Sequence, residues 1–215
     1  MKWNAGIGIW ILCLLGFVAL ASADPGDAKK GKMGFMVCVA CHGAQAEGNK
    51  LLNSPRLAGQ EDWYIKSQLF KFKQGIRGAD AKDLFGMQMV PMAKILADEK
   101  AIDDVIAYIK TLKTDLPTDP SSGDPAKGQV LYQVCMACHG DKAQGNVEQK
   151  APRLGDQHAW YMARQLKNFR DGIRGAHPQD TEGLLMRPMS MTLVDDQAIE
   201  DVIAYIESLK FNGAK

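Results

Sequence analysis

Aromatic residues are scarce in this sequence, at 7%, and histidine is scarcer still, with four in 215 positions. Together with five cysteines, so small a stock of ligands leaves room for very few metal centres. An excess of charge of one sign is also missing: 26 Lys and Arg stand against 25 Asp and Glu. That balance excludes a general polyanion binder, so no nucleic-acid partner is expected. Proline and glycine are too few for a collagen-like or low-complexity chain. No Gly-rich phosphate loop, Ser–His–Asp set or carboxylate pair rises above background. The longest apolar stretch, from Ile7 to Leu20, is short of the roughly 20 residues of a membrane span.

That stretch has the marks of an export signal. Lys2 opens a short basic region, and Ala21-Ser22-Ala23 supplies a small-x-small cleavage site before Asp24. Residues 1–23 therefore read as a signal peptide, the mature chain as starting at Asp24, and its destination as the periplasm. An uncleaved membrane anchor is the alternative.

An internal repeat organises the rest. Adding 97 to a position in the first half gives its counterpart in the second, as in Cys38-Val39-Ala40-Cys41-His42 and Cys135-Met136-Ala137-Cys138-His139. Pro55-Arg56-Leu57 returns as Pro152-Arg153-Leu154, and Trp63-Tyr64 as Trp160-Tyr161. Gly75-Ile76-Arg77-Gly78-Ala79 returns as Gly172-Ile173-Arg174-Gly175-Ala176. The offset never changes, so neither copy has gained or lost a residue between these landmarks. A stretch rich in Pro and Ser from Thr114 to Pro125 reads as a linker. The expected domains are 24–118 and 119–215.

Each unit reads as helical. Ile102, Val105, Ile106, Ile109 and Leu112 fall on one helical face, and Ile199, Val202, Ile203, Ile206 and Leu209 repeat the pattern. Asp98 and Asp195 stand at helix-cap positions. A middle helix is predicted from near Glu61 to Gly75, with a twin from about His158 to Gly172. A shorter helix leads into each cysteine pair, from Lys29 and from Ala126. Little alternates as a strand does, so the fold class is all-α. Units this small, with so few aromatics, gain much from an additional apolar body at their centre.

Cys-x-x-Cys-His, present in both copies, is the most specific signal. Two thiols three residues apart can add to the vinyl groups of one haem, and the following histidine can bind its iron. A redox-active Cys-x-x-Cys belongs to a strand–helix setting that is missing here. A zinc ribbon needs four ligands on one metal, whereas the repeat puts the pairs in separate units. Disulfides suit an exported chain but do not call for a histidine in each copy. Covalent haem is the reading on which motif, export signal and repeat agree: two haem c groups, on Cys38 and Cys41 and on Cys135 and Cys138, with His42 and His139 on iron. Cys13 leaves with the signal segment, so the other axial ligand is not a thiolate.

A neutral methionine thioether stabilises reduced iron and is the natural partner. The repeat sorts the candidates: Met87 maps to Leu184 and Met191 to Lys94, so neither is shared. Met89 pairs with Met186 and Met92 with Met189, inside a Met-x-Pro-Met in each half, and either pair passes this test.

Two class I cytochrome c units in tandem, each with Cys-x-x-Cys-His and a late Met before a terminal helix, resemble the dihaem cytochrome c4 family across the whole mature chain. In that family the axial methionine stands seven residues ahead of the Leu before the last helix. Met89 before Leu96 and Met186 before Leu193 match. The resemblance also implies that the Pro55 and Pro152 carbonyls accept the proton of the ligand histidines, fixing the rings. It further implies a crossing of first and last helices at Gly31, Phe35 and Tyr108, and at Gly128, Tyr132 and Tyr205. Arg56, Arg153, Trp63 and Trp160 could bond haem propionates. Arg77 and Arg174 could do so or link the domains. His158 and His177, which map to Glu61 and Asp80, read as ordinary exposed histidines.

Iron with both axial positions filled has no place for a substrate, and one-electron exchange is what remains. The expectation is an electron-transfer protein rather than an enzyme, working in a respiratory chain. The resemblance implies a terminal oxidase as acceptor and a quinol-oxidising complex as source. The alternatives are a haem subunit of a membrane-bound respiratory or dehydrogenase complex, peripheral to the membrane or anchored in it, and a dihaem redox enzyme. Charge adds little: 14 basic against 12 acidic residues over 24–118, and 11 against 13 over 119–215.

Overall fold

The computed structural model describes Met1 and residues 26–209; the segment read as a signal peptide lies, beyond Met1, outside the described residues. The described residues form two units of four helices each. The first holds α1 (Ala28–His42), α2 (Asp62–Lys73), α3 (Leu84–Ile95) and α4 (Glu99–Ile109). The second repeats the order with α5 (Pro125–His139), α6 (Ala159–Arg170), α7 (Thr181–Met191) and α8 (Asp196–Ser208). Among the described residues there is no strand, only isolated bridges between Asn49 and Ser54 and between Asn146 and Ala151. The all-α expectation holds.

The last helix of each unit forms where its apolar face and its cap coincide. The Asp98 carboxylate accepts the N–H of Ala101 at 2.8 Å, and Asp195 that of Ala198 at 2.8 Å. Ile102, Val105, Ile106 and Ile109 are buried with Phe35, Ile65 and Leu96. Ile199, Val202, Ile203 and Ile206 are buried with Tyr132, Met162 and Leu193.

First and last helices cross at a glycine in each unit. A Cβ on Gly31 would stand 1.8 Å from the Asp104 carbonyl oxygen, and one on Gly128 would stand 1.9 Å from that of Asp201. No other residue lets these backbones meet. Phe35 packs on Tyr108 with ring centroids 5.6 Å apart, and Tyr132 on Tyr205 at 5.4 Å. The same aspartates tie down the entry to the first helix: Asp27 N–H donates to Asp104 at 2.6 Å, and Asp124 N–H to Asp201 at 2.8 Å.

Two elements depart from the sequence reading. The helices leading into the cysteine pairs, expected to be short, have 15 residues each and are the longest described. The methionine segments, to which no helix was assigned, are helical despite an internal Pro91 and Pro188. Asp83 caps Gly86 N–H at 3.0 Å and Asp180 caps Gly183 N–H at 3.2 Å, which starts these helices firmly.

The units are docked by polar contacts. Arg77 and Arg174 are buried and share two glutamines: Arg77 donates to Gln68 at 2.7 Å and to Gln165 at 3.0 Å, Arg174 to Gln165 at 2.7 Å and to Gln68 at 2.9 Å. Each arginine also reaches the other unit's tyrosine, Tyr161 at 3.0 Å and Tyr64 at 2.9 Å. Lys71 crosses to Asp180 and Glu182, both at 2.6 Å. The connection between the units is held as well, by Arg56 donating to the carbonyls of Asp115 at 3.0 Å and Thr114 at 3.4 Å.

Candidate haem sites

Each site begins at the end of a long helix. α1 places Cys38 and Cys41 one turn apart and ends on His42, and α5 does the same with Cys135, Cys138 and His139. Gly43 and Gly140 stop the helices, donating to the carbonyls of Val39 at 3.0 Å and Met136 at 2.9 Å. The chain then folds back in a compact loop. Gly48 N–H donates to the His42 carbonyl at 2.8 Å, and Leu57 and Ala58 N–H both donate to the carbonyl of buried Ala46, at 2.9 and 3.1 Å. This return brings the Pro55 carbonyl to 2.8 Å from His42 Nδ1, and in the second copy Pro152 to 2.7 Å from His139 Nδ1.

A carbonyl can only accept, so each Nδ1 carries a proton, and in the neutral ring Nε2 then keeps the lone pair. Burial lowers both histidine pKa values below the ordinary 6.5, the proline contact opposing it. The imidazoles are thus neutral, in the tautomer that a metal requires. The inner cysteines behave differently from redox thiols: burial, with the neighbouring cysteine, pushes Cys38 and Cys135 up to about 11. A reactive Cys-x-x-Cys has a lowered thiol pKa instead. Among the described residues no three His, Cys, Asp or Glu converge as a metal-binding group, so neither cysteine pair sits in a zinc-type cluster.

Both units carry side chains suited to a large apolar disc bearing carboxylates. Leu51, Leu52, Leu84 and Ile95 in the first unit, and Val147, Leu185 and Val194 in the second, are exposed apolar side chains. Trp160 Nε1–H is buried with no acceptor, as are Arg77 Nε and Arg174 Nε. Both arginines line a cavity of about 310 Å³ between the two Gly-Ile-Arg-Gly-Ala segments. Buried donors of this kind suit anionic propionates.

The candidate thioethers lie on α3 and α7. Met89 and Met186 are half-buried, whereas Met92 and Met189 are exposed. Arg56 is not free for a propionate: its Nε donates to Ala58 O at 2.9 Å and the rest of its guanidinium holds the connection. Arg153 reaches across to Gly59 O at 2.9 Å and pairs with Asp156. The reading of His158 as an ordinary exposed histidine is corrected. It lies in the interface, with Nε2 2.8 Å from Glu47 O and Nδ1 3.3 Å from Asp119. The repeat map misjudged it because it detects roles common to both copies, and this role exists in one. Tyr64, Gln68, Tyr161 and Gln165 were missed as interface residues, although all four are repeat identities.

Two helical units, each ending its first helix on Cys-x-x-Cys-His with the imidazole held by a proline carbonyl, define a tandem c-type cytochrome. The cytochrome c family profile matches residues 28–113 and 125–210. Cytochrome c4 of Azotobacter vinelandii is 32% identical over 214 residues, covering 94% of this chain and 97% of that one. A thiosulfate dehydrogenase electron acceptor of Stutzerimonas stutzeri is 30% identical over 81% of this chain and 79% of its own. The crystal structure of reduced recombinant cytochrome c4 from Pseudomonas stutzeri superposes with a TM-score of 0.66 at 30% identity, covering 86% of this chain and 100% of that one. The chain belongs to the cytochrome c4 family. It is a dihaem electron-transfer protein whose two Cys-x-x-Cys-His motifs carry covalently attached haem c.

Proposed function

We propose that this chain is a periplasmic one-electron relay that takes electrons from a quinol-oxidising complex and delivers them to a terminal oxidase. The observation that carries it is the paired arrangement at the helix ends, where each Cys-x-x-Cys-His histidine is held at Nδ1 by the carbonyl of Pro55 or Pro152. Cys38, Cys41, Cys135 and Cys138 tether the haems, and His42 and His139 bind iron from one side. Met89 and Met186 close the other side, in keeping with their burial relative to Met92 and Met189. Bound haem supplies one-electron exchange at iron. The protein holds the histidine rings in one orientation and tautomer, so that little rearranges when the charge changes. The two histidine loops meet across the unit interface, which favours exchange between the haems.

An enzymatic role needs an open iron, and the equivalent methionines in both copies argue against one. Met89→Ala and Met186→Ala should each remove part of the weak red-edge absorption of oxidised Met-ligated haem, and together all of it. Met92→Ala and Met189→Ala should leave it intact. Survival of the band in the double Met89→Ala, Met186→Ala variant would refute the ligand set.

A second electron source is favoured by one relative, the thiosulfate dehydrogenase electron acceptor. Stopped-flow reduction by a thiosulfate dehydrogenase and by a quinol-oxidising complex separates the two sources. Among the described residues no helix is long and apolar enough to cross a membrane. An intact native mass starting at Asp24 supports export with cleavage, and a mass starting at Met1 supports an anchored subunit.

A further inference from the structure

The peptide group that orients each histidine has two sides. Its carbonyl, from Pro55 or Pro152, accepts from the imidazole, and its N–H, from Arg56 or Arg153, is donated to the other unit. In the first unit the acceptor is neutral: Arg56 N–H donates to the amide oxygen of Gln157 at 3.2 Å. In the second it is a carboxylate: Arg153 N–H donates to Glu61 Oε2 at 3.0 Å. The neighbouring glutamines are matched. Gln157 Nε2 donates to Arg56 O at 2.9 Å, and its repeat mate Gln60 donates to Arg153 O at 3.2 Å. The repeat mate of Glu61 is His158, which is engaged with Glu47 O at 2.8 Å. The histidine peptide is therefore backed by a carboxylate in the second unit and by a neutral amide in the first.

We propose that Glu61 is a positioning residue that acts through the Pro152–Arg153 peptide on His139 and lowers the reduction potential of the second haem. A hydrogen bond to a carboxylate is about twice as strong as one to a neutral oxygen. Hydrogen bonds in series polarise one another, so the Pro152 carbonyl becomes the better acceptor. The imidazole it holds gains anionic character and donates more strongly to iron, which favours the oxidised state. Gln157 gives His42 no such push. One unit thereby sets the electronic character of the other's ligand, a polarity that two identical copies would lack. This inference rests on His42 and His139 being the iron ligands.

Glu61→Gln keeps the size and the acceptor and removes the charge. In a spectroelectrochemical titration of the dihaem protein, the second haem should rise in potential and the first should stay in place. Electron sharing should shift towards the second haem by less than about fivefold, the full gap between a neutral and a charge-assisted hydrogen bond, because only part is passed from bond to bond. About 40 mV is thus the ceiling, at 59 mV per tenfold for one electron. In proton NMR of the reduced protein the His139 Nδ1–H resonance should move and that of His42 should not. In the unmodified protein the Arg153 amide proton should lie downfield of the Arg56 amide proton, a comparison that needs no variant. An unmoved second haem, an equal shift of both haems, or a moved potential with an unmoved Nδ1–H would each overturn the relay. The ring-current-shifted His139 signals test the ligation separately. Their absence from the unmodified reduced protein overturns the ligand reading, whereas their presence with an inert Glu61→Gln overturns this inference alone.

Discussion

His42 Nδ1 stands 2.8 Å from the carbonyl oxygen of Pro55, thirteen residues further along the chain. The contact is made by a loop with little regular structure, so its accuracy depends on a few backbone positions. Gly48 is the most exacting. Its φ is +90°, and a Cβ there would come within 2.7 Å of Arg56 N, next to the proline whose carbonyl holds the ring. Gly48→Ala should lower stability by about 1–3 kcal/mol through this strained position. It should also perturb the spectrum of the first haem while sparing the second. Thermal unfolding and the separate haem spectra check this.

The helix crossings give a sharper packing test. With Cβ positions 1.8 and 1.9 Å from backbone carbonyls, Gly31→Ala and Gly128→Ala cannot be absorbed by a side-chain shift. Each should cost about 3 kcal/mol or more, at or above the upper end for overpacked cores. Denaturant melts of the single variants should show the loss, in the affected unit first.

The interface arginines should be sensitive to losing their tyrosines. Tyr64→Phe removes the hydroxyl that Arg174 reaches at 2.9 Å, and Tyr161→Phe removes the one 3.0 Å from Arg77. Each change weakens a buried charged network, with an expected cost of about 1–3 kcal/mol. Because the two networks share Gln68 and Gln165, the double variant should depart from additivity, which a double-mutant cycle measures.

Acid should loosen the docking of the units by a specific route. Burial pushes the Glu182 carboxyl up, but Lys71 and the other donors around it win and hold it at about 2, below its ordinary 4.5. A depressed carboxylate stabilises the fold fully above its unfolded pKa and loses that effect as pH falls through the folded one. The melting temperatures of the parent and Glu182→Gln should therefore differ most above about pH 4.5 and converge towards pH 2. A difference that stays constant down to pH 2 would show that Glu182 is not held this way.

Much of this was legible in the sequence because the repeat supplied an internal control. Positions kept at the constant offset identified the cysteine motifs and the methionine pairs, and the spacing of Ile102 to Ile109 gave the last helix. α3 and α7 escaped because each carries an internal proline, Pro91 or Pro188, and its start is set by a side-chain cap, Asp83 or Asp180, rather than by an apolar period. The interface escaped for a different reason. Gln68, Tyr64 and their mates acquire their role only when two units dock, and no local periodicity encodes a docking angle. His158 and Glu61 show the limit of the control itself: where the copies diverge, the repeat is silent, and there the asymmetric contacts are found.

Carbon monoxide titration of the reduced protein tests most directly whether both irons are closed by protein ligands. The account predicts no change in either haem spectrum at neutral pH, because a bound thioether leaves no place for the gas. Formation of a carbonyl adduct at either haem would mean an open iron, and would contradict a pure electron carrier.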